Sequence, residues 1–273
     1  MAILQMTYLS EALFRTVPVS VYLPCDKIAF EEGSYQMRPG QKYKTLYLLH
    51  GMIGCHIDWL IETRLRRWAE ERELAVVMPS GDNAFYIDNP LPNNDYGRFI
   101  GEELVEMTRR MFPLSDRRED TFIAGLSMGG YGALRNALVY PETFSYAAGF
   151  SSGLHFFLPG AASIRGEQLV FGDPAEAAKS DKNPYVALSN AIEQGKELPK
   201  FYLSCGTEDM LMPSNIAFRD ELVRRGADVT WDEQPGGHDW DFWDAQLKKM
   251  LDWLPLENGE IGLGSGHVLR KTE

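Results

Sequence analysis

Two pentapeptides in this chain share the pattern G-x-S-x-G, one centred on Ser127 (Gly125 to Gly129) and one on Ser151 (Gly149 to Gly153). A serine so placed attacks carbonyl carbon when it sits on a tight turn from strand to helix. Small flanking residues permit the strained backbone, and the helix N-terminus directs free N–H groups at developing negative charge. Before Ser127 runs the strand-like DTFIAG; after it runs MGGYGALRNALVY, with Leu134, Ala137 and Leu138 at helical spacing. Ser151 also follows a strand, but Pro159 and Gly160 deny it a helix. Ser127 is therefore the candidate nucleophile, and Ser151 reads as a strand-end residue lining the cleft.

A serine hydroxyl needs an imidazole to take its proton, and the imidazole needs a carboxylate to fix its tautomer. His238 lies in the Gly-rich loop QPGGHDWDFW, after the strand-like Asp228 to Trp231 and before the final helix, whereas His267 sits in a polar tail. His238 is the candidate base. FYLSCGTEDM leaves a strand at Ser204 and turns, placing Glu208 and Asp209 beyond its C-terminal end, where ligands gather in open α/β sheets. Asp209 is the candidate acid, with Glu208 in reserve. The loop in LLHGMIGCHIDW also follows a strand. It offers a backbone N–H at Met52, with Ile53 as the alternative, to pair with the N–H of Met128 in an oxyanion hole. His50 is expected to order that loop by hydrogen bonds. A metal reading of His50, His56 and Asp58 is poor, because no further ligands follow a matching pattern.

The elements that must position these groups alternate. Short apolar runs at Thr45–Leu49, Leu74–Met78, Thr121–Ala124, Phe144–Phe150 and Phe201–Ser204 suit strands buried on both faces. Helices are expected over Trp59–Arg72, Gly97–Met111, Met128–Val139, Asn215–Arg225 and Trp240–Trp253, with Pro113 and Pro141 at helix ends and Gly226 as a C-terminal cap. The fold class is α/β: a mainly parallel sheet with helices on both faces. Met6 to Leu23 reads as an antiparallel hairpin at the sheet edge. One domain over 1–255 is expected, with 153–198 inserted as a lid or pocket wall holding a weak helix, and a Gly-rich tail at 256–273.

Composition narrows the partners. Of 273 residues, 39 are acidic and 27 basic, for a net charge of −12, which disfavours nucleic acid. No apolar run approaches the roughly 20 residues a membrane span needs, and the N-terminus lacks a basic region before an apolar core. Three scattered cysteines make no disulfide framework and fit a reducing compartment. The expected location is the cytoplasm, with no metal and no cofactor, and with homo-oligomer formation through the tail left open.

Together LYLLHGMIGCHIDWL, TFIAGLSMGGYGALRNAL, SCGTEDMLMPSN and PGGHDWDFWDAQLKKML resemble the esterase D and putative-esterase family of α/β-hydrolases. They look most like the bacterial tributyrin esterases, relatives of feruloyl esterases, acetylxylan esterases and S-formylglutathione hydrolases. The resemblance spans nearly all of residues 1–255. It implies Ser127, Asp209 and His238 as a triad, with Met128 and the Met52 region as oxyanion donors. It also implies a serine carboxylesterase acting through an acyl-enzyme on small short-chain acyl esters, acetylated or feruloylated carbohydrate among them. Phe156, Phe157 and Trp240 would form an acyl pocket. The glutathione-specific branch shows a different loop where this chain has HGMIGC. A thioesterase or acyltransferase with the same triad, and a non-catalytic binding protein on the same fold, are the alternatives.

Overall fold

The computed structural model describes residues 2–26, 40–158 and 167–257. Among these residues eight strands form one sheet in the order β1-β2-β4-β3-β5-β6-β7-β8. They are β1 (Ala2–Ser10), β2 (Arg15–Leu23), β3 (Thr45–Leu49), β4 (Ala75–Pro79), β5 (Thr121–Leu126), β6 (Tyr146–Phe150), β7 (Lys200–Gly206) and β8 (Val229–Gln234). β1 pairs antiparallel with β2, and β2 with β4; every other pairing is parallel.

Parallel strands covered on both faces must be apolar on both, and β3 shows how the pleat divides them. Tyr47 and Leu49 face one buried layer, with Tyr131, Leu134, Leu188 and Leu222. Leu46 and Leu48 face the other, with Trp59, Trp68, Leu247 and Leu251. The helices that close these layers are α1 (Asp58–Glu62), α2 (Leu65–Glu71), α3 (Tyr96–Arg98), α4 (Leu104–Met111), α5 (Met128–Val139), α6 (Glu167–Phe171), α7 (Pro174–Lys179), α8 (Pro184–Glu193), α9 (Met212–Arg224) and α10 (Trp240–Trp253). The carboxyl ends of β3, β5, β6, β7 and β8 lie along one edge, with Leu126 opposite Phe150 and Gly206 opposite Gln234.

The expected elements are present with four local differences. The hairpin starts at Ala2 rather than Met6. The helix expected over 59–72 is broken at Thr63, whose backbone is extended, while its hydroxyl accepts the Leu65 N–H and the Arg64 side chain is drawn to Asp244 on α10. The helix expected from Gly97 contains a π turn, Phe99–Glu103, which lets the Glu103 carboxylate reach the hairpin turn and accept from the Glu11 and Ala12 N–H groups and the Ser10 hydroxyl. The described residues of the inserted segment hold three α-helices where one was expected, two of them opened by an Asp or Asn cap followed by proline: Asp173-Pro174 and Asn183-Pro184. Gly226 takes φ +80° directly after α9, as a helix-terminating glycine does.

Candidate active site

Ser127 joins β5 to α5 with φ 52° and ψ −116°, a backbone that side chains other than glycine adopt only under constraint. Its N–H donates to the Phe150 carbonyl at 2.9 Å; its carbonyl accepts from Gly153 and Tyr131 at 2.9 and 3.0 Å. The small residues around it are required by close approach. A Cβ on Gly129 would lie 2.4 Å from the Leu49 carbonyl oxygen and 2.6 Å from that of His50, so α5 starts almost touching the end of β3. Met128 is the first residue of that helix and is buried. The opening N–H groups of a helix, that of Met128 among them, have no acceptor within it and point out of its N-terminal end, where Ser127 lies.

His238 and Asp209 come from the neighbouring strand ends and converge on this turn. His238 Nε2 lies 3.0 Å from Ser127 Oγ, and Nδ1 lies 2.8 Å from Asp209 Oδ2. With Nδ1 donating to the carboxylate, Nε2 is left to accept the serine proton. The Asp209 carboxylate is fully buried and takes the Leu211 N–H on its other oxygen at 2.9 Å. Burial alone would raise its pKa; hydrogen bonds from His238, Leu211 and Ser151 outweigh that and hold it below the usual carboxylate range. Glu208 turns to solvent, so of the two candidate acids it is Asp209 that meets the imidazole. Asp239, next to the histidine, caps α10 by accepting the Phe242 N–H, which ties the histidine loop to the helix behind it.

Ser151 has a positive φ of 46°, as Ser127 does, yet it does not line the cleft as its sequence position suggested. It is fully buried. Its hydroxyl bonds Asp209 and accepts the indole N–H of Trp243 at 3.2 Å. The same indole packs edge-on against His238, ring centres 4.9 Å apart. Ser151 and Trp243 thus sit behind the acid and the imidazole. Sequence reasoning missed Trp243, whose only signal is its place on the inward face of α10, one turn past the histidine loop.

The loop after β3 passes close over the end of β5 at Gly51: a Cβ there would stand 2.6 Å from Leu126 Cδ1 and in ordinary contact, 3.7 Å, with the serine's Cβ. His50 orders this loop as expected. Its Nδ1 donates to the Gly51 carbonyl at 2.7 Å and its Nε2 accepts the Gly81 N–H at 2.9 Å, so the buried imidazole uses both nitrogens; burial lowers its pKa. His56 bonds Ser20, and the Asp58 carboxylate accepts from Cys55. These three residues are engaged in holding the loop. Ile53, the alternative oxyanion donor, gives its N–H to Asn83 Oδ1 at 2.8 Å, which leaves Met52 as the candidate of the two.

Of the aromatics expected at a pocket, Phe156 lies beside Gly153 and packs on Phe85 and Phe171. With Phe157, Leu158 and Phe171 it lines a cavity of about 290 Å³. Trp240 does not join them. It packs edge-on to Trp59 and Trp243 in the opposite layer.

Residues 10–254 match the family described as "Putative esterase". An acetyl esterase from Caldicellulosiruptor saccharolyticus is 36% identical over 264 residues, 93% of this chain and 98% of that one. Among solved structures, the fluorophosphonate-binding serine hydrolase FphF of Staphylococcus aureus superposes with a TM-score of 0.81 at 28% identity. The S-formylglutathione hydrolase FrmB of the same species superposes with 0.80 at 28%. Each covers 93% of this chain and 98% of its own. The chain belongs to the putative-esterase family and is a serine carboxylesterase of α/β-hydrolase fold.

Proposed function

We propose that Ser127 is the nucleophile, His238 the general base and acid, and Asp209 the residue that orients and balances the imidazole. The observation that carries this is the unbroken chain of hydrogen bonds, 3.0 Å from serine to histidine and 2.8 Å from histidine to buried carboxylate. His238 Nε2 takes the Ser127 proton as Oγ bonds to the ester carbon. The carbonyl oxygen becomes an oxyanion held by the N–H groups of Met52 and Met128. The tetrahedral adduct collapses, His238 protonates the departing alcohol, and the acyl group stays on Ser127. Water then gives a proton to His238 and attacks the acyl carbon; a second collapse frees the acid and returns the proton to Ser127.

The substrates proposed are small short-chain acyl esters, acetyl esters first, with acetylated or feruloylated sugars in range. The acetyl esterase relative supports the acyl group. The site's rim supports an uncharged partner: Met52, Ile53 and Met210 are exposed apolar residues there, beside the outward-turned Glu208. A second reading, hydrolysis of S-formylglutathione, is favoured by the likeness to FrmB. We read 1–255 as one domain with an insertion at 153–198, supported by a single sheet that takes strands from both ends of that range. A cytoplasmic location is supported by Cys25, Cys55 and Cys205 all being free thiols. No helix among the described residues is long and apolar enough to cross a membrane. The tail proposed as a docking arm lies outside the described residues from 258 onward.

Turnover of p-nitrophenyl acetate, p-nitrophenyl butyrate, methyl ferulate, acetylated xylan and S-formylglutathione separates these readings. Ser127→Ala is expected to lower ester turnover by at least about ten-thousandfold with an unchanged melting temperature. Activity persisting in that variant would remove Ser127 from its role; turnover of the thioester alone would replace the carboxylic ester as substrate.

A further inference from the structure

Ser151 follows β6 with φ 46°, a left-handed backbone that serine rarely takes and glycine takes freely. Such a residue persists only where its surroundings over-determine it. Its N–H donates to the Ser204 carbonyl of β7 at 2.8 Å. On the next residue, Ser152, Asn215 of α9 accepts the N–H at 3.0 Å and donates to the carbonyl at 2.9 Å. The turn is thus gripped from two elements. What its strained backbone delivers is the Ser151 side chain, fully buried and bonded to both Asp209 and Trp243.

The direction of those bonds follows from what each group can do. An indole N–H only donates, and an ionised carboxylate only accepts. The Trp243 N–H reaches Ser151 Oγ at 3.2 Å, so the hydroxyl oxygen accepts there and its single proton goes elsewhere. Two groups compete for that proton, Asp209 and Cys205 of β7. Burial pushes the Cys205 thiol up to about 12, so it stays neutral, and the charged carboxylate is the stronger acceptor. The donors therefore run in line from Trp243 to Ser151 to Asp209. Trp243 is set for this by its own helix. Its backbone N–H donates to the carbonyl of Asp239, next to the histidine, at 3.2 Å, and its ring lies edge-on to the imidazole. The Asp239 carboxylate turns away to the Phe242 N–H. Among the described residues, the titratable groups that face Asp209 are His238 from the loop before α10 and Cys205 from β7; β6 and α10 contribute Ser151 and Trp243, which carry no charge.

We propose that Trp243 and Ser151 are a positioning pair for the acid of the triad: the indole N–H turns the Ser151 hydroxyl so that its proton points at the Asp209 carboxylate, and the carboxylate so anchored keeps the His238 imidazole aimed at Ser127. This rests on the reading of Asp209 and His238 as acid and base. Neither member of the pair touches a reacting atom.

The test compares Ser151→Ala, Ser151→Gly, Trp243→Phe and the double variant carrying Ser151→Gly with Trp243→Phe. Two readouts are taken: kcat and KM on p-nitrophenyl acetate, and the carboxyl carbon resonance of isotope-labelled Asp209 followed against pH. Ser151→Gly also relieves the backbone, which offsets stability lost with the hydroxyl. Either Ser151 variant is expected to lower kcat about tenfold with KM within about twofold. In both, Asp209 should gain its proton at higher pH, because one hydrogen bond fewer then opposes its burial, a change that a merely structural role would not produce. Trp243→Phe keeps a ring against His238 and removes the N–H, so a smaller loss and a titration moved the same way are expected. In the double variant the phenylalanine should add nothing to the loss caused by glycine, since the N–H acts through the hydroxyl. Wild-type kcat in Ser151→Gly would overturn the proposal, as would an unmoved Asp209 titration or the full Trp243→Phe loss recurring in the double variant. Wild-type kcat in Asp209→Asn would instead remove the reading of the acid beneath it.

Discussion

At the scale of single residues, the site depends on keeping one carboxylate charged inside protein. Three hydrogen bonds hold Asp209 ionised against its burial. Because its folded pKa is depressed, the stability it contributes is complete above about pH 4 and is lost as pH falls through the folded value. For catalysis the consequence is a count of protons. Asp209 keeps its charge well into acid, so it should add no proton of its own to the acid limb, and log kcat/KM should descend there with a slope of 1. A slope of 2 would show Asp209 titrating in the same range. The meeting of Ser127, Asp209 and His238 was legible in sequence because order and strand ends suffice to nominate them. Ser151 was misread, because its partners Asp209 and Trp243 lie 58 and 92 positions away and only folding buries all three together.

At the scale of elements, α5 does more than cover the sheet. Its first turn is pressed onto the end of β3, and glycine at 129 is what allows the contact. Gly129→Ala puts a methyl group against two carbonyl oxygens. The expected result is about 1–3 kcal/mol of lost stability with a fall in kcat on the order of tenfold or more, since the helix N-terminus and Met128 must back away from the serine. Gly226→Ala is the contrast: φ is +80° but nothing lies within 4 Å of the added methyl, so about 1 kcal/mol should be lost with kcat unchanged. Melting curves and kcat on the two variants check the distinction. Strands and helices around this contact were readable because buried parallel strands are short apolar runs. The first residues of β1 were not, because Ile3 is apolar yet 44% exposed and spoils the alternation. The helices at Asp173-Pro174 and Asn183-Pro184 carried a capping signal that a search for apolar periodicity passes over.

At the scale of the whole molecule, distant segments are tied by a few polar clasps across the packed layers. The Glu103 carboxylate holds the β1–β2 turn through three hydrogen bonds to residues more than 90 positions away. Glu103→Ala should therefore destabilise the protein by about 2 kcal/mol and raise hydrogen exchange in the hairpin while leaving kcat near wild type. Equal stability would mean that the sheet pairing alone holds the hairpin. No pattern in the sequence nominates Glu103, since only the π turn preceding α4 brings it to face the hairpin.

The three groups proposed for the triad sit at positions 127, 209 and 238, and Trp243 on α10 backs the last of them. A chain emerging from the ribosome thus presents its serine turn long before it has a base to activate it. On that reading a half-made chain exposes the serine turn yet cannot cleave an ester. Turnover begins when β8 and α10 dock, so the rate at which activity appears during synthesis or refolding is a clock for the closing of the sheet's far edge.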